Sequence, residues 1–280
     1  MRRADALLAE PVTLGSALKE LGWFWGLFAF ALGAPSLLSI LQMVFLEYRL
    51  IEAAQQILDA YNLLLAYLSS YVEPLLRQLI DLMFTVPVDL HAHWRPLFIL
   101  MMLHETADAR NMWRFGAHGT AIARWLPGAA GAFLGAVVAG FAPLDGPWWA
   151  QGAIVAAPLA GPTVVRGLFA MGQQPFLPML LVTLSTFAIG AASSFIPGLP
   201  RGAGILVMAL LLLANAVITF RRGLSQRAFG RLPDGTLVSG KAVRMRSLSD
   251  LWFSLALLGG FFAAALVLAA DYILKLLGYA

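Results

Sequence analysis

Residues 148–171 read WWAQGAIVAAPLAGPTVVRGLFAM, and whether this stretch crosses a bilayer decides what kind of molecule the chain is. As an α-helix rising 1.5 Å per residue it is about 36 Å long, more than a hydrocarbon core of about 30 Å. Two tryptophans open it, as they do at membrane interfaces. Its only ionisable side chain is Arg166, five residues before Met171. From there the headgroup of an arginine can reach the polar edge of a bilayer.

The neighbouring sequence has the same character. Apolar stretches of spanning type cover 126–142, 176–199, 203–220 and 250–274, joined by tight connections such as APLDGP, GQQP and PRG. Upstream, LGWFWGLFAFALGAPSLLSILQMVFL at 21–46 is another span, with Pro35 near its middle. The composition agrees: 60% of the 280 residues are hydrophobic and 12% are charged. A soluble domain carries about 25% charged residues, too many more than this chain has for it to cover itself with a wetted surface. The expected fold is therefore all-α: a polytopic helical membrane protein with about six transmembrane helices, a long interfacial amphipathic helix and a small cytoplasmic hairpin loop. Residues 1–46 hold the N-terminal segment and first span, 47–125 the amphipathic region, and 126–280 a five-helix bundle. The opening MRRADALLAE has too short an apolar run for a secretory signal.

Residues 47–84 change register. Apolar pairs recur every seven residues at 50/51, 57/58, 64/65 and 71/72, with Glu52, Gln56, Asp59, Asn62, Ser69 and Glu73 on the other side. This is an amphipathic helix, restarted or bent at Pro74. The segment 221–249 carries seven basic residues, Arg221, Arg222, Arg227, Arg231, Lys241, Arg244 and Arg246, around a Pro-Asp-Gly turn that predicts a hairpin. Basic loops stay in the cytoplasm, and these side chains suit anionic lipid headgroups. With six spans, residues 47–125 join that side, leaving thirteen Lys or Arg inside and five outside. The first span conflicts with this, because Arg2, Arg3 and Lys19 precede it while only Arg49 closely follows.

Four features bear on chemistry. In DLHAHWRPLFILMMLHETADAR (89–110) a helix beginning at Pro96 puts His104 and Asp108 on one face, one turn apart, while His91 and His93 precede it. His91, His93, His104 and Asp108 form a candidate metal set, opposed by the 12 Å that such a helix places between its start and His104. A polar interfacial edge, with Glu105 and Asp108 in a salt bridge or cap, explains the same residues without a metal. Arg166 is a headgroup contact or lines a pathway beside the prolines Pro158 and Pro162. Gly131 and Gly135 make a GxxxG suited to close helix packing. Apart from Asp250 at the very start of the last one, the spans hold no Asp or Glu until Asp271, so the bilayer interior is expected to be electrically bare.

With no cysteine, thiolate metal sites, disulfides and a cysteine nucleophile are excluded. No P-loop, G-x-S-x-G, GxGxxG or complete HExxH is present, and no cofactor is implied. Nucleic acid is not an expected partner, because no basic stretch is interleaved with aromatics. The composition points to a non-catalytic integral membrane subunit that scaffolds or helps assemble a larger complex, energy-transducing complexes included. Its partners would be other membrane subunits and anionic lipid. The alternatives are a pore or uncoupled transporter lined by 158–166, and a metal-dependent membrane enzyme built on 91–108.

Overall fold

The computed structural model describes residues 23–45, 49–83, 89–114, 118–169, 176–225 and 262–278. Among these every regular element is an α-helix. In chain order they are α1 (Trp23–Val44), α2 (Glu52–Ser69), α3 (Glu73–Met83), α4 (Trp94–Arg114), α5 (His118–Gly140), α6 (Trp148–Phe169), α7 (Phe176–Ser193) and α8 (Ala203–Ser225), and α9 covers 262–276. By length and composition one described helix, α6, is long and apolar enough to cross a membrane; the apolar parts of the others are shorter.

Local sequence explains the boundaries. The amphipathic segment breaks at 70–72 and restarts at Glu73, which leaves Pro74 in the first turn of α3, where its missing N–H costs nothing. Pro96 likewise sits in the first turn of α4, which begins two residues earlier, at Trp94. In α6 the helix continues through both Pro158 and Pro162.

Helix α5 packs between α4 and α6, and α7 packs on the other flank of α6. Connections at the helix ends fix directions. The His91 N–H donates to the Gly140 carbonyl at 2.8 Å, so α4 starts where α5 finishes. The Gly202 N–H donates to the Leu144 carbonyl at 2.7 Å, bringing the α7–α8 turn against the α5–α6 turn. Val44 lies beside Gly202, so α1 finishes at that same end. Helices α4 to α8 thus alternate in direction, and α1 runs opposite to α4 and α8. At this end Gln151, 3% exposed, clamps the turns: its Nε2 donates to the Leu144 carbonyl at 2.9 Å and its Oε1 accepts from Gly204 N–H at 2.8 Å.

The main core runs through Leu37, Ile40 and Val44 of α1, Leu97, Leu100 and Leu103 of α4, and Ile154, Ile205 and Met208 of α6 and α8. Trp94, Phe98 and Phe133 add edge-on ring contacts between α4 and α5, with centroids 5.6 Å apart for the two phenylalanines. The expectation that 89–110 forms a polar edge is corrected for the part of α4 whose side chains are described: Trp94, Leu97, Leu100, Met101, Leu103 and Glu105 are buried, and α4 packs against α1 and α5. Helix α5 also begins eight residues before the span expected at 126.

Residue size is distributed in an unusual way. Much of the interior of α5, α6 and α8 is alanine and glycine, including Ala132, Ala136, Ala139, Ala150, Ala156 and Ala209. Large apolar side chains face outward: Leu134, Val138, Leu168, Phe169, Leu184, Ile189, Leu210 and Ile218 are all exposed.

Candidate functional site

Helix α4 presents Leu97, Met101 and Glu105 at four-residue intervals, which stacks them on one face. The first two are buried apolar groups and the third is a carboxylate with 0% exposure. Helix α6 presents Pro158, Pro162 and Arg166 at the same interval; both prolines are buried. The two stripes meet across α5, where the Arg166 Nη2 donates to Glu105 Oε2. Arg166 keeps 19% of its side chain exposed.

What lets the charges meet is a residue with no side chain. A Cβ on Gly128 of α5 would collide with the Glu105 carboxylate and lie 2.6 Å from Arg166 Nη2. Gly131 and Gly135 continue the seam: a Cβ on either would strike the α6 backbone, at Gly161–Pro162 and at Ala157–Pro158 respectively. The close packing expected of these two glycines is therefore present within the chain, between α5 and α6. Gly128 is twelve residues from Gly140, about 18 Å along the helix, and Arg166 stands in the last turn of α6, so the ion pair lies toward the end of the bundle where α6 finishes.

The Glu105–Arg166 pair puts a buried carboxylate and its cation inside the helix bundle, a pairing not anticipated from the sequence. A buried charge persists only when paired and hydrogen-bonded, and here α4 and α6 each supply one partner, from residues 61 apart in sequence. Such a pair adds little net stability, since desolvation offsets attraction, but it penalises every arrangement that separates the charges. Chemically it is a device for fixing register between α4, α5 and α6. Arg166, expected at headgroups or along a pathway, faces Glu105, and the Pro158–Pro162 face beside it is filled by the glycine seam of α5.

The histidine segment divides. His91 and His93 stack with ring centroids 5.8 Å apart, and His93, 1% exposed, lies with Nε2 2.9 Å from the Ala139 carbonyl. Burial, aided by the nearby His91, lowers the His93 pKa to about 4, against the opposing pull of its hydrogen bond to Ala139. The neutral ring then caps the last turn of α5 through Nε2–H. His104 and Asp108 lie on α4, one turn apart, but their side chains are outside the described residues. Among the described residues no three His, Asp or Glu side chains converge as metal ligands.

The expected hairpin lies outside the described residues, as do Arg227, Arg231, Lys241, Arg244 and Arg246. Arg221 and Arg222 fall in the last turns of α8, with their side chains likewise undescribed.

Two polar features escaped the reading of the sequence. One is Gly128, which was indistinguishable there from the other small residues of GAAGAFLGAVVAG. The other is a seam between α1 and α2. Ser39 Oγ donates to Asn62 Oδ1 at 2.8 Å, Gln42 Nε2 donates to Gln55 Oε1 at 2.7 Å, and Ser36 lies 2.6 Å from the Tyr61 hydroxyl. The three-residue spacing of Ser36, Ser39 and Gln42 carried the signal for it. No protein-family model, curated protein or solved structure matches this chain.

Proposed function

We propose that this chain is a multi-pass integral membrane protein that serves as a non-catalytic packing subunit of a larger membrane assembly. The observation that carries the reading is the apolar exterior: Leu134, Val138, Leu168, Phe169, Leu184, Ile189, Leu210 and Ile218 are exposed, while alanine and glycine share the interior of α5, α6 and α8 with a few large side chains such as Ile154, Ile205 and Met208. In water the hydrophobic effect drives the largest apolar groups inward. In lipid that force is absent between helices, so association relies on close backbone approach through small residues, with polar contacts as added adhesion. The Gly131–Gly135 seam and the buried Glu105–Arg166 pair are those two elements.

Helix directions support the same reading and relieve the conflict over orientation. With α4 running against α5, the start of α1 shares an end of the bundle with the end of α4, the start of α5 and the end of α8. Arg2, Arg3, Lys19, Arg110, Arg114, Arg124 and the seven basic residues of 221–249 then lie on one side, thirteen in all. Arg49, Arg77, Arg95, Arg201 and Lys275 lie on the other, five in all. The first span now obeys the positive-inside rule along with the later loops. We place the thirteen in the cytoplasm.

The outward apolar faces of α2 and α7 are the surfaces offered to neighbours or lipid. On α2 these are Ile57, Leu64, Tyr67 and Leu68, and on α7 Leu181, Val182, Leu184 and Ile189. The chain has no native cysteine, so single cysteines give an unambiguous test. Cysteines at Asp145, Arg201 and Asp89 should react with a membrane-impermeant maleimide from outside intact cells, and one at Ser239 should react only after lysis. Extraction of the protein by alkaline carbonate, or labelling of Ser239Cys from outside, would refute the arrangement.

A further inference from the structure

We infer that the cleft between α1 and α2 binds the zwitterionic headgroup of a phosphoethanolamine-type lipid. The inference rests on the membrane reading above. The cleft has a volume of about 420 Å³ and is lined chiefly by Ser39, Gln42, Arg49, Gln55, Asp59 and Asn62. That volume is in the range of pockets that hold small molecules, about 300–1,000 Å³. Its floor is Ser39, 1% exposed, and its two charged groups are of opposite sign.

Those charges are held but not joined. Asp59 accepts from Gln55 Nε2 at 2.7 Å, and Gln55 is oriented in turn by Gln42. Arg49 is fixed by its backbone: its carbonyl accepts from Lys275 Nζ, and two residues on, the Ile51 N–H donates to the buried Asp271 carboxylate. Yet Arg49 and Asp59 line one cleft without forming an ion pair with each other or with any other described residue. Two opposite charges facing a shared hollow match a ligand carrying both signs. An ammonium group suits Asp59 and a phosphate suits Arg49, whose guanidinium makes charge-assisted bonds to phosphate oxygens. The Asn62 side chain accepts from Ser39 through its oxygen, and its amide group is available to the same ligand.

The surface beyond the cleft argues for a lipid over a free zwitterion. Asp59, Leu63 and Tyr67 recur every four residues along α2, so they form one stripe. Leu63 is 72% exposed, and Tyr67 is exposed and packed edge-on with Tyr71 at 5.3 Å. A headgroup seated at Asp59 and Arg49 would lay an acyl chain along Leu63 and the tyrosines.

The test is native mass spectrometry of the full chain, delipidated in detergent and titrated with phosphatidylethanolamine or phosphatidylglycerol. Phosphatidylethanolamine is expected to be retained about tenfold better, the worth of one charge-assisted contact. Asp59→Asn should abolish that preference, and Arg49→Gln should weaken both lipids. Equal retention of the two lipids by the wild-type protein, or an unchanged preference in Asp59→Asn, overturns the inference whatever becomes of the variants' stability. Free phosphoethanolamine that displaces the lipid at matched concentration would assign the cleft to the soluble molecule and overturn the lipid source. If the chain instead stays monodisperse in water without detergent, the membrane reading fails and the lipid site fails with it. An embedded chain that ignores the headgroup overturns the site alone.

Discussion

Removing one partner of the Glu105–Arg166 pair should cost more on one side than on the other, and the asymmetry follows from exposure. Arg166→Met removes the Arg166 guanidinium from beside a carboxylate with 0% exposure. Stranding a buried charge costs about 3–5 kcal/mol, and a group with no route to solvent belongs at the upper end, about 5 kcal/mol. Glu105→Leu removes the carboxylate from beside an arginine that retains 19% exposure and a long flexible stem. It can swing toward the helix end, so the loss should be about 3 kcal/mol. The double variant, Glu105→Leu with Arg166→Met, removes both charges and should fall within about 1 kcal/mol of the wild type. Gly128→Ala attacks the same contact by volume alone and should cost about 1–3 kcal/mol, although alanine favours a helix interior by about 1 kcal/mol over glycine. Unfolding in mixed micelles of dodecyl sulfate, followed by tryptophan fluorescence, measures all four proteins. Single variants that each lose less than about 1 kcal/mol, or losses that simply add in the double variant, would refute the proposed role of the pair.

Three further outcomes follow from the same physics. Gly135→Ala drives a Cβ into the Ala157 backbone, which cannot rotate away as a side chain can, so it should destabilise by at least about 2 kcal/mol in the same unfolding assay. His93 has a folded pKa of about 4 against an ordinary value of 6.5, so the unfolded chain binds the proton first. Its contribution is complete above pH 6.5 and is lost as pH falls toward 4, by about 3 kcal/mol in total; His93→Gln, which keeps a donor for the Ala139 carbonyl, should flatten that slope in a pH series. Gln151→Leu removes the partners of the Leu144 carbonyl and the Gly204 N–H at once, and should cost about 2–4 kcal/mol in the unfolding assay.

Much of the helical layout was legible in the sequence. Pro74 and Pro96 marked helix starts to within two residues, and the helices at 148, 176 and 203 begin where apolar density returns. The heptad pairs of α2 were read correctly as a pattern and incompletely as a surface. The structure buries one member of a pair and exposes the other, with Leu58 and Leu65 inside and Ile57 and Leu64 outside. What stayed illegible is what only tertiary contact creates. Glu105 looked like part of a charged edge because its neighbours in sequence are charged, while its partner lies two helices away. Arg166 looked able to reach headgroups because a helical stem near an end usually can. Gly128 carries no signal apart from the charges that occupy its missing side chain's place. The orientation conflict had the same origin: α4 was read as interfacial because its apolar run, 97–103, is seven residues long, while the charged stretch after it holds the buried Glu105.

The central claim is that this chain holds neighbours together in a membrane. Its most direct test is extraction from the native membrane into polymer-bounded lipid discs, followed by mass spectrometry of the intact particle. The account expects the chain to appear in fixed stoichiometry with at least one other integral membrane protein, and expects the chain alone, reconstituted into liposomes, to pass no ions. A particle containing only this chain, with ion flux through it that Arg166→Ala alters, would contradict the account.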